Sequence, residues 1–415
     1  MDVRPMLAPI RNRKINSMAH DHPFPARRKP VLLAAVAGLL ALTAATFWAP
    51  VPAAAAAPST PYLPKPTGPH RVGTMSLHLT DTSRRDPWVP TAKARELMVS
   101  LWYPTAARDG QRAPYVTPKE SELLLKGSGI KELEKIPPKG LSWTRTNAFV
   151  DAEPAGRRRS LPLVVMSPGF TWPRSSLTGL AEDLASRGYV VASIDHTYEN
   201  FATTFPDGRV TTCAACEIEP DDNADADDFG QKVIRNRAVD ISFVLDQLTG
   251  PHPKWKGASL INSARIAMAG QSIGGAAAPE TMLKDSRVRA GINMDGSMFL
   301  PIPKSGLARP FMLMGSPAGD STWKRDWEHL TGWKRWLVVK GALHPSFTDY
   351  DMLIQQLGVD LGGDLKETRS MDITRKYVEA FLDLHLRGKP QPLLDKPSPR
   401  YPEVQFCSPP AKSCQ

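Results

Sequence analysis

Apolar and polar positions alternate at Met75, Leu77 and Leu79, and a second strand-like run follows at residues 96–103 (ELMVSLWY). The connector between them is rich in Asp, Arg and Pro, so the two runs read as an antiparallel pair at a sheet edge. Residues 121–126 form a short helical patch whose Leu123, Leu124 and Leu125 are expected to face a core. From Leu161 the pattern becomes regular. Residues 161–166 are almost wholly apolar, as expected of a strand covered on both faces. Leu177, Leu180, Ala181 and Leu184 then repeat at helical spacing, with Ser175 or Ser176 as N-cap and Gly188 as the stop. Residues 189–194 make the next strand. The acidic stretch 195–230 reads as a solvated loop, after which Ile234, Ala238, Ile241, Leu245 and Leu248 mark one apolar helix face. A strand leading into Ser272 follows, then strands at 288–294, 310–314 and, as the last, 336–339. A helix at 372–387, ended by Gly388, closes the pattern. Strands alternating with helices in this way predict an α/β fold, a mostly parallel central sheet with helices on both faces.

Residues 1–57 depart from that rhythm. Arg27, Arg28 and Lys29 precede an apolar run from Val31 to Trp48, and Ala53 to Ala57 offer small-residue cleavage sites, as in an export signal. A membrane anchor is the competing reading. The run's alanines and threonines, and Pro50 and Pro52 directly after it, argue against that. The expectation is a signal at 1–57 that is removed, a Pro-rich lead-in from Pro58 to Pro69, and one catalytic domain over 58–415 that is secreted. The Arg27–Arg28 pair allows a twin-arginine route.

Composition changes the picture little. With 415 residues, 41% of them hydrophobic, the chain can bury one large core. The formal charge of +10 suggests nucleic acid at first sight. Residues 1–57 hold seven Lys/Arg and two Asp/Glu, however, which leaves 45 basic against 40 acidic residues, a formal +5. No basic run with interleaved aromatics occurs, so a nucleic-acid partner is not expected. Four cysteines suit an oxidising destination. Cys213 and Cys216 form a C-x-x-C in a loop and Cys407 and Cys414 lie near the end. Three pairings are open, and structural disulfides are preferred over a zinc or redox site.

The chemistry centres on Gly270-Gln-Ser-Ile-Gly274, a G-x-S-x-G pattern after an apolar strand and before a run of small residues. In this pattern the serine sits on a sharp strand-to-helix turn, and a Cβ two positions before or after it would strike neighbouring backbone. Ser272 is therefore the candidate nucleophile and the fold expected is that of an α/β-hydrolase. A serine hydroxyl needs a base within hydrogen-bond reach. Of nine histidines, His344 lies in a loop after the final predicted strand, where the fold carries its base. Two carboxylates compete to orient it, Asp295 and Asp320, each after a strand, and spacing leaves both open. The oxyanion hole needs two N–H donors. One is expected from Ile273, the other from Ser167-Pro-Gly-Phe170, where Pro168 has no N–H and Phe170 is the candidate. Trp172 and His196, close to the ends of their strands, are candidates for the substrate pocket, as is Phe347. No metal or cofactor is expected.

Several segments together resemble the platelet-activating-factor acetylhydrolase family of the plasma or isoform-II type and its bacterial secreted relatives. They are Thr67-Gly-Pro, Val72-Gly-Thr, Trp102-Tyr-Pro104, the Ser-Pro-Gly-Phe loop, Gly270 to Gly275, Asn293-Met-Asp-Gly-Ser-Met-Phe299 and His344-Pro-Ser-Phe-Thr-Asp349. The likeness spans about Pro64 to Phe406. It implies Ser272 as nucleophile, His344 as base and Asp295 as the acid. It also implies hydrolysis, without calcium, of short or oxidised acyl groups at the second position of glycerophospholipids. Two departures are Gln271, where His is common, and Pro279, expected to kink the helix after the serine. The expected protein is a monomeric serine esterase taking a small-molecule or lipid ester, with transient contact with lipid surfaces. A broad lipase or polyester hydrolase is the same-class alternative. A non-catalytic binding protein on the same scaffold and a thiol–disulfide protein are the others.

Overall fold

A computed structural model describes residues 60–219, 223–408 and Cys414; the expected export segment, residues 1–57, lies outside the described residues. Twelve strands are present among them: β1 (Arg71–Asp81), β2 (Arg95–Thr105), β3 (Phe149–Val150), β4 (Leu161–Ser167), β5 (Val190–His196), β6 (Thr203–Thr204), β7 (Val210–Thr211), β8 (Ile261–Gln271), β9 (Val288–Met294), β10 (Phe311–Gly315), β11 (Lys334–Val339) and β12 (Val404–Cys407). The helices are α1 (Pro118–Gly127), α2 (Thr178–Ser186), α3 (Asn223–Thr249), α4 (Ile273–Lys284), α5 (Ser321–Asp326), α6 (Asp349–Gln356) and α7 (Arg369–Arg387).

Ten strands form one sheet in the order β12-β11-β10-β9-β8-β4-β5-β2-β1-β3, with β6 and β7 apart as a small hairpin. β4, β5, β8, β9, β10 and β11 run parallel. β1 pairs antiparallel with β2 from Arg71↔Thr105 to Asp81↔Arg95, the pairing their alternation predicts. Side chains of β4 alternate between two apolar layers. Leu163 and Val165 pack with Ile234, Ile241, Leu245 and Met282 from α3 and α4, whereas Val164 and Met166 pack with Leu180, Leu184, Val378 and Phe381 from α2 and α7. This is the α/β-hydrolase architecture: both sheet faces are covered, which is why β4 and β10 are nearly continuous apolar runs rather than apolar at every second position.

Several expectations are corrected. The acidic stretch is not all loop: from Asn223 it opens α3, with Asp227 and Asp228 exposed on that helix. Much of the segment before it is buried, including Glu199, Asn200 and Phe205. Strand β11 is not the last, since β12 adds antiparallel to it and closes that edge. α4 runs from Ile273 to Lys284 with Pro279 inside it. Of the three cysteine pairings the two local ones form, Cys213–Cys216 and Cys407–Cys414.

Ser175 and Ser176 do not cap α2. They lie in a preceding 3-10 turn, and α2 starts after Leu177, which offers no capping side chain. The N–H of Gly179 in its first turn is instead accepted by both carboxylate oxygens of Asp349, at 3.1 and 3.0 Å, from the start of α6. Burial pushes the Asp349 carboxyl up to about 8, against the Gly179 N–H and Arg375, which pull it down; Glu182 adds to the rise and Tyr115 opposes it. A carboxyl that binds its proton more tightly when folded contributes stability below its unfolded value near 3.8. That contribution is lost as pH climbs toward about 8. Asp349→Asn keeps an acceptor for Gly179 and cannot ionise. Its melting temperature relative to wild type is therefore expected to rise between pH 5 and pH 8.5, and a pH-independent difference would contradict the assignment.

Candidate active site

β8 ends at the carboxyl edge of the sheet and passes directly into α4, so Ser272 stands at the joint. Its backbone takes φ 56° and ψ −135°, a conformation that costs an L-residue about 1–3 kcal/mol and is retained only where the surroundings impose it. A Cβ on Gly270 would lie 2.3 Å from the Gly274 carbonyl carbon, and one on Gly274 would lie 2.1 Å from the Ser167 carbonyl oxygen. Hydrogen is the substituent that fits at both. The Ser272 N–H donates to the Met294 carbonyl at 2.8 Å, which ties the turn to the end of β9.

Asp295 follows β9 directly and also has a positive φ, 57°. Its own N–H donates to Met314 O at 2.9 Å, its Oδ1 accepts the Ser316 N–H at 2.7 Å, and its Oδ2 meets His344 Nδ1 at 2.8 Å. With Asp295 ionised, the shared proton sits on Nδ1 and Nε2 is left as an acceptor. The Gln271 amide nitrogen lies 3.1 Å from that Nε2 and donates to the His344 carbonyl at 3.2 Å. Asp320 makes no described hydrogen bond to His344. It is the N-cap of α5, accepting the Thr322 N–H at 2.7 Å and the hydroxyls of Thr322 and Ser297.

Ile273 opens α4, so its N–H has no intrahelical acceptor. Neither it nor the Phe170 N–H is used in a described hydrogen bond. The loop carrying Phe170 lies against the serine, since a Cβ on Gly169 would come within 3.2 Å of Ser272 Cβ. Ser272, Asp295 and His344 share the wall of a cavity of about 770 Å³. Phe299, Trp323 and Trp336 supply its aromatic surface, while Arg325, Lys340 and Asp320 supply charge.

The three residues expected in the substrate pocket lie elsewhere. Trp172 packs edge-on against Tyr350, with ring centroids 4.6 Å apart. Phe347 is buried in the layer with α7, and His196 is buried beside Ser167. Position after a strand placed them near the catalytic edge, but the turn that follows decides which way a side chain faces. The cavity's own tryptophans were missed for that reason: Trp336 reads as strand interior and nothing in its spacing tells which side it lines. A smaller cavity of about 440 Å³, bounded by Trp102, Tyr115, Glu182 and Asp195, has none of the expected site residues in its wall. Among the described residues no group of three His, Cys, Asp or Glu side chains is arranged to hold a metal ion.

A family model described as platelet-activating factor acetylhydrolase, isoform II, matches residues 55–391. A probable 1-alkyl-2-acetylglycerophosphocholine esterase from Arthroderma benhamiae is 29% identical over 392 residues, covering 85% of this chain and 95% of that protein. A platelet-activating factor acetylhydrolase from Cavia porcellus is 24% identical over 373 residues, covering 78% of each. Among solved structures, a ferulic acid esterase from Streptomyces cinnamoneus superposes with a TM-score of 0.74 at 42% identity, covering 84% of this chain and 100% of that one.

Proposed function

The chain belongs to the platelet-activating factor acetylhydrolase, isoform II, family and is a carboxylic ester hydrolase, and from that premise we propose that Ser272, His344 and Asp295 perform the hydrolysis. The observation that carries the reading is the Asp295–His344 hydrogen bond at 2.8 Å beside a serine held on a strained turn in the same cavity. His344 Nε2 takes the hydroxyl proton as Ser272 Oγ bonds to the ester carbonyl carbon. The Gln271 amide must release Nε2 for this, a rearrangement common where catalytic contacts tighten only with substrate bound. The negative charge that forms on the carbonyl oxygen is received by the N–H groups of Phe170 and Ile273. When the C–O bond to the alcohol breaks, the leaving oxygen takes the proton back from His344. Water, deprotonated by His344 in turn, then cleaves the acyl-serine to the free acid. Asp295 holds the imidazole in the required tautomer and stabilises its protonated form.

The substrate proposed is a short or oxidised acyl ester at the second position of a glycerophospholipid, taken up in transient contact with a lipid surface by a secreted monomer. The two disulfides favour an oxidising compartment. A second reading has one observation behind it. The aromatic wall of Phe299, Trp323 and Trp336 suits a planar aryl acyl group, and the similar Streptomyces protein is a ferulic acid esterase. The test is kcat/KM for a 2-acetyl glycerophosphocholine, for methyl ferulate and for tributyrin. A lead of about tenfold or more for the first, ~1.4 kcal/mol of differential transition-state binding, supports the phospholipid reading. A lead for methyl ferulate replaces it with the second, and a flat profile makes the protein a broad esterase.

A further inference from the structure

Beneath the oxyanion loop lies a second Ser–His–Asp hydrogen-bonded chain that the mechanism does not use. Ser167 Oγ is 2.9 Å from His196 Nε2, and His196 Nδ1 is 2.7 Å from Asp240 Oδ2. All three residues are at most 1% exposed, so no substrate reaches this serine. Arg237, also 1% exposed, donates to Ser167 Oγ at 3.1 Å, to the Pro168 carbonyl, and to the Gly169 carbonyl at 3.4 Å. Its Nε donates to Glu199 at 2.7 Å, and Glu199 O in turn accepts the Thr171 N–H at 2.8 Å. Every residue from Ser167 to Gly169, and Thr171 just beyond, is thus tied to one buried cluster.

We infer that Ser167, His196 and Arg237 are positioning residues that aim the Phe170 N–H into the oxyanion hole. This rests on the esterase reading above, because the aim of that N–H matters only if an oxyanion forms there. The direction of each bond follows from valence. Burial, with Arg237 alongside, holds the His196 imidazole below its usual protonation range, so it is neutral. Asp240 stays ionised because Arg95 and the His196 hydrogen bond outweigh its burial. His196 Nδ1–H therefore donates to Asp240, and Nε2 accepts the Ser167 hydroxyl proton. The freed lone pairs of Ser167 Oγ accept from Arg237. In a trans peptide the carbonyl and the following N–H point in opposite directions. Holding the Gly169 carbonyl toward Arg237 thus turns the Phe170 N–H away from Arg237. The Trp172 N–H also donates to the Gly169 carbonyl, at 3.3 Å, so loss of the buried anchor loosens the aim of that peptide rather than freeing it.

The informative variant is Ser167→Ala, which removes the hydroxyl joining His196 to Arg237 and leaves all charges paired. Turnover per site, titrated with an organophosphonate, is compared for p-nitrophenyl acetate and for its thionoester, whose C=S sulfur accepts hydrogen bonds poorly. Loss of one oxyanion donor in other enzymes costs about 10²–10³-fold; a misaimed donor is expected to lower kcat for the oxygen ester about 10–100-fold. KM and the thionoester rate should change less than about threefold. His196→Gln, which keeps an acceptor facing Ser167, should fall between Ser167→Ala and wild type. A merely structural role would lower both esters in parallel, and that result, or an unchanged oxygen-ester rate, overturns the inference alone. A wild-type protein inert toward the oxygen ester overturns the esterase reading and this inference together.

Discussion

Ser272→Ala is expected to lower kcat for a short-chain ester by about 10⁴–10⁶-fold, the range seen when single members of a triad are removed. The alanine keeps the turn, since Gly270 and Gly274 leave room for the same backbone and the Ser272 N–H bond to Met294 does not involve the side chain. Loss of a hydroxyl from a partly exposed position should leave the melting temperature within a few degrees of wild type. An organophosphonate should label the wild-type protein at Ser272 and leave the alanine variant unlabelled. Labelling at another residue, or turnover retained by the variant, would dismiss the mechanism.

The second large effect separates two carboxylates that lie on neighbouring strand ends. In Asp295→Asn the amide oxygen can still accept the Ser316 N–H, which turns the NH₂ group toward His344 Nδ1. Nδ1 must then accept, so the ring proton moves to Nε2, where a base is needed. A loss of about 10³–10⁴-fold in kcat is expected from this wrong tautomer. Asp320→Asn keeps a capping oxygen for the Thr322 N–H, since Asn caps a helix about as well as Asp, and should leave kcat within about threefold. The two variants assayed side by side, with melting curves, decide the matter. Loss of turnover in Asp320→Asn alone would reverse the assignment.

Much of this protein was legible before any coordinates. The G-x-S-x-G turn is local: its glycines are demanded by backbone atoms within a few residues and by the adjoining strand end, so the pattern carries its own geometry. The apolar runs of β4, β5 and β9 and the 3.6-residue spacing of α2, α3 and α7 follow from burial, which repeats along the chain. α6 and β12 were missed because each is short, and β12, at the sheet edge, carries no full period.

Sequence alone determined the sheet-and-helix alternation, the site of the strained serine and the histidine placed after β11, because each of these rests on periodicity, local sterics or chain order. Tertiary structure decided that His344 bonds Asp295 and not Asp320, that Trp323 and Trp336 wall the cavity that holds Ser272, and that His196 braces a loop when it had been expected to line the pocket. The two hydrogen bonds join residues 29 and 49 positions apart across irregular turns. A turn's direction is set by what it packs against, and no spacing in the chain records that.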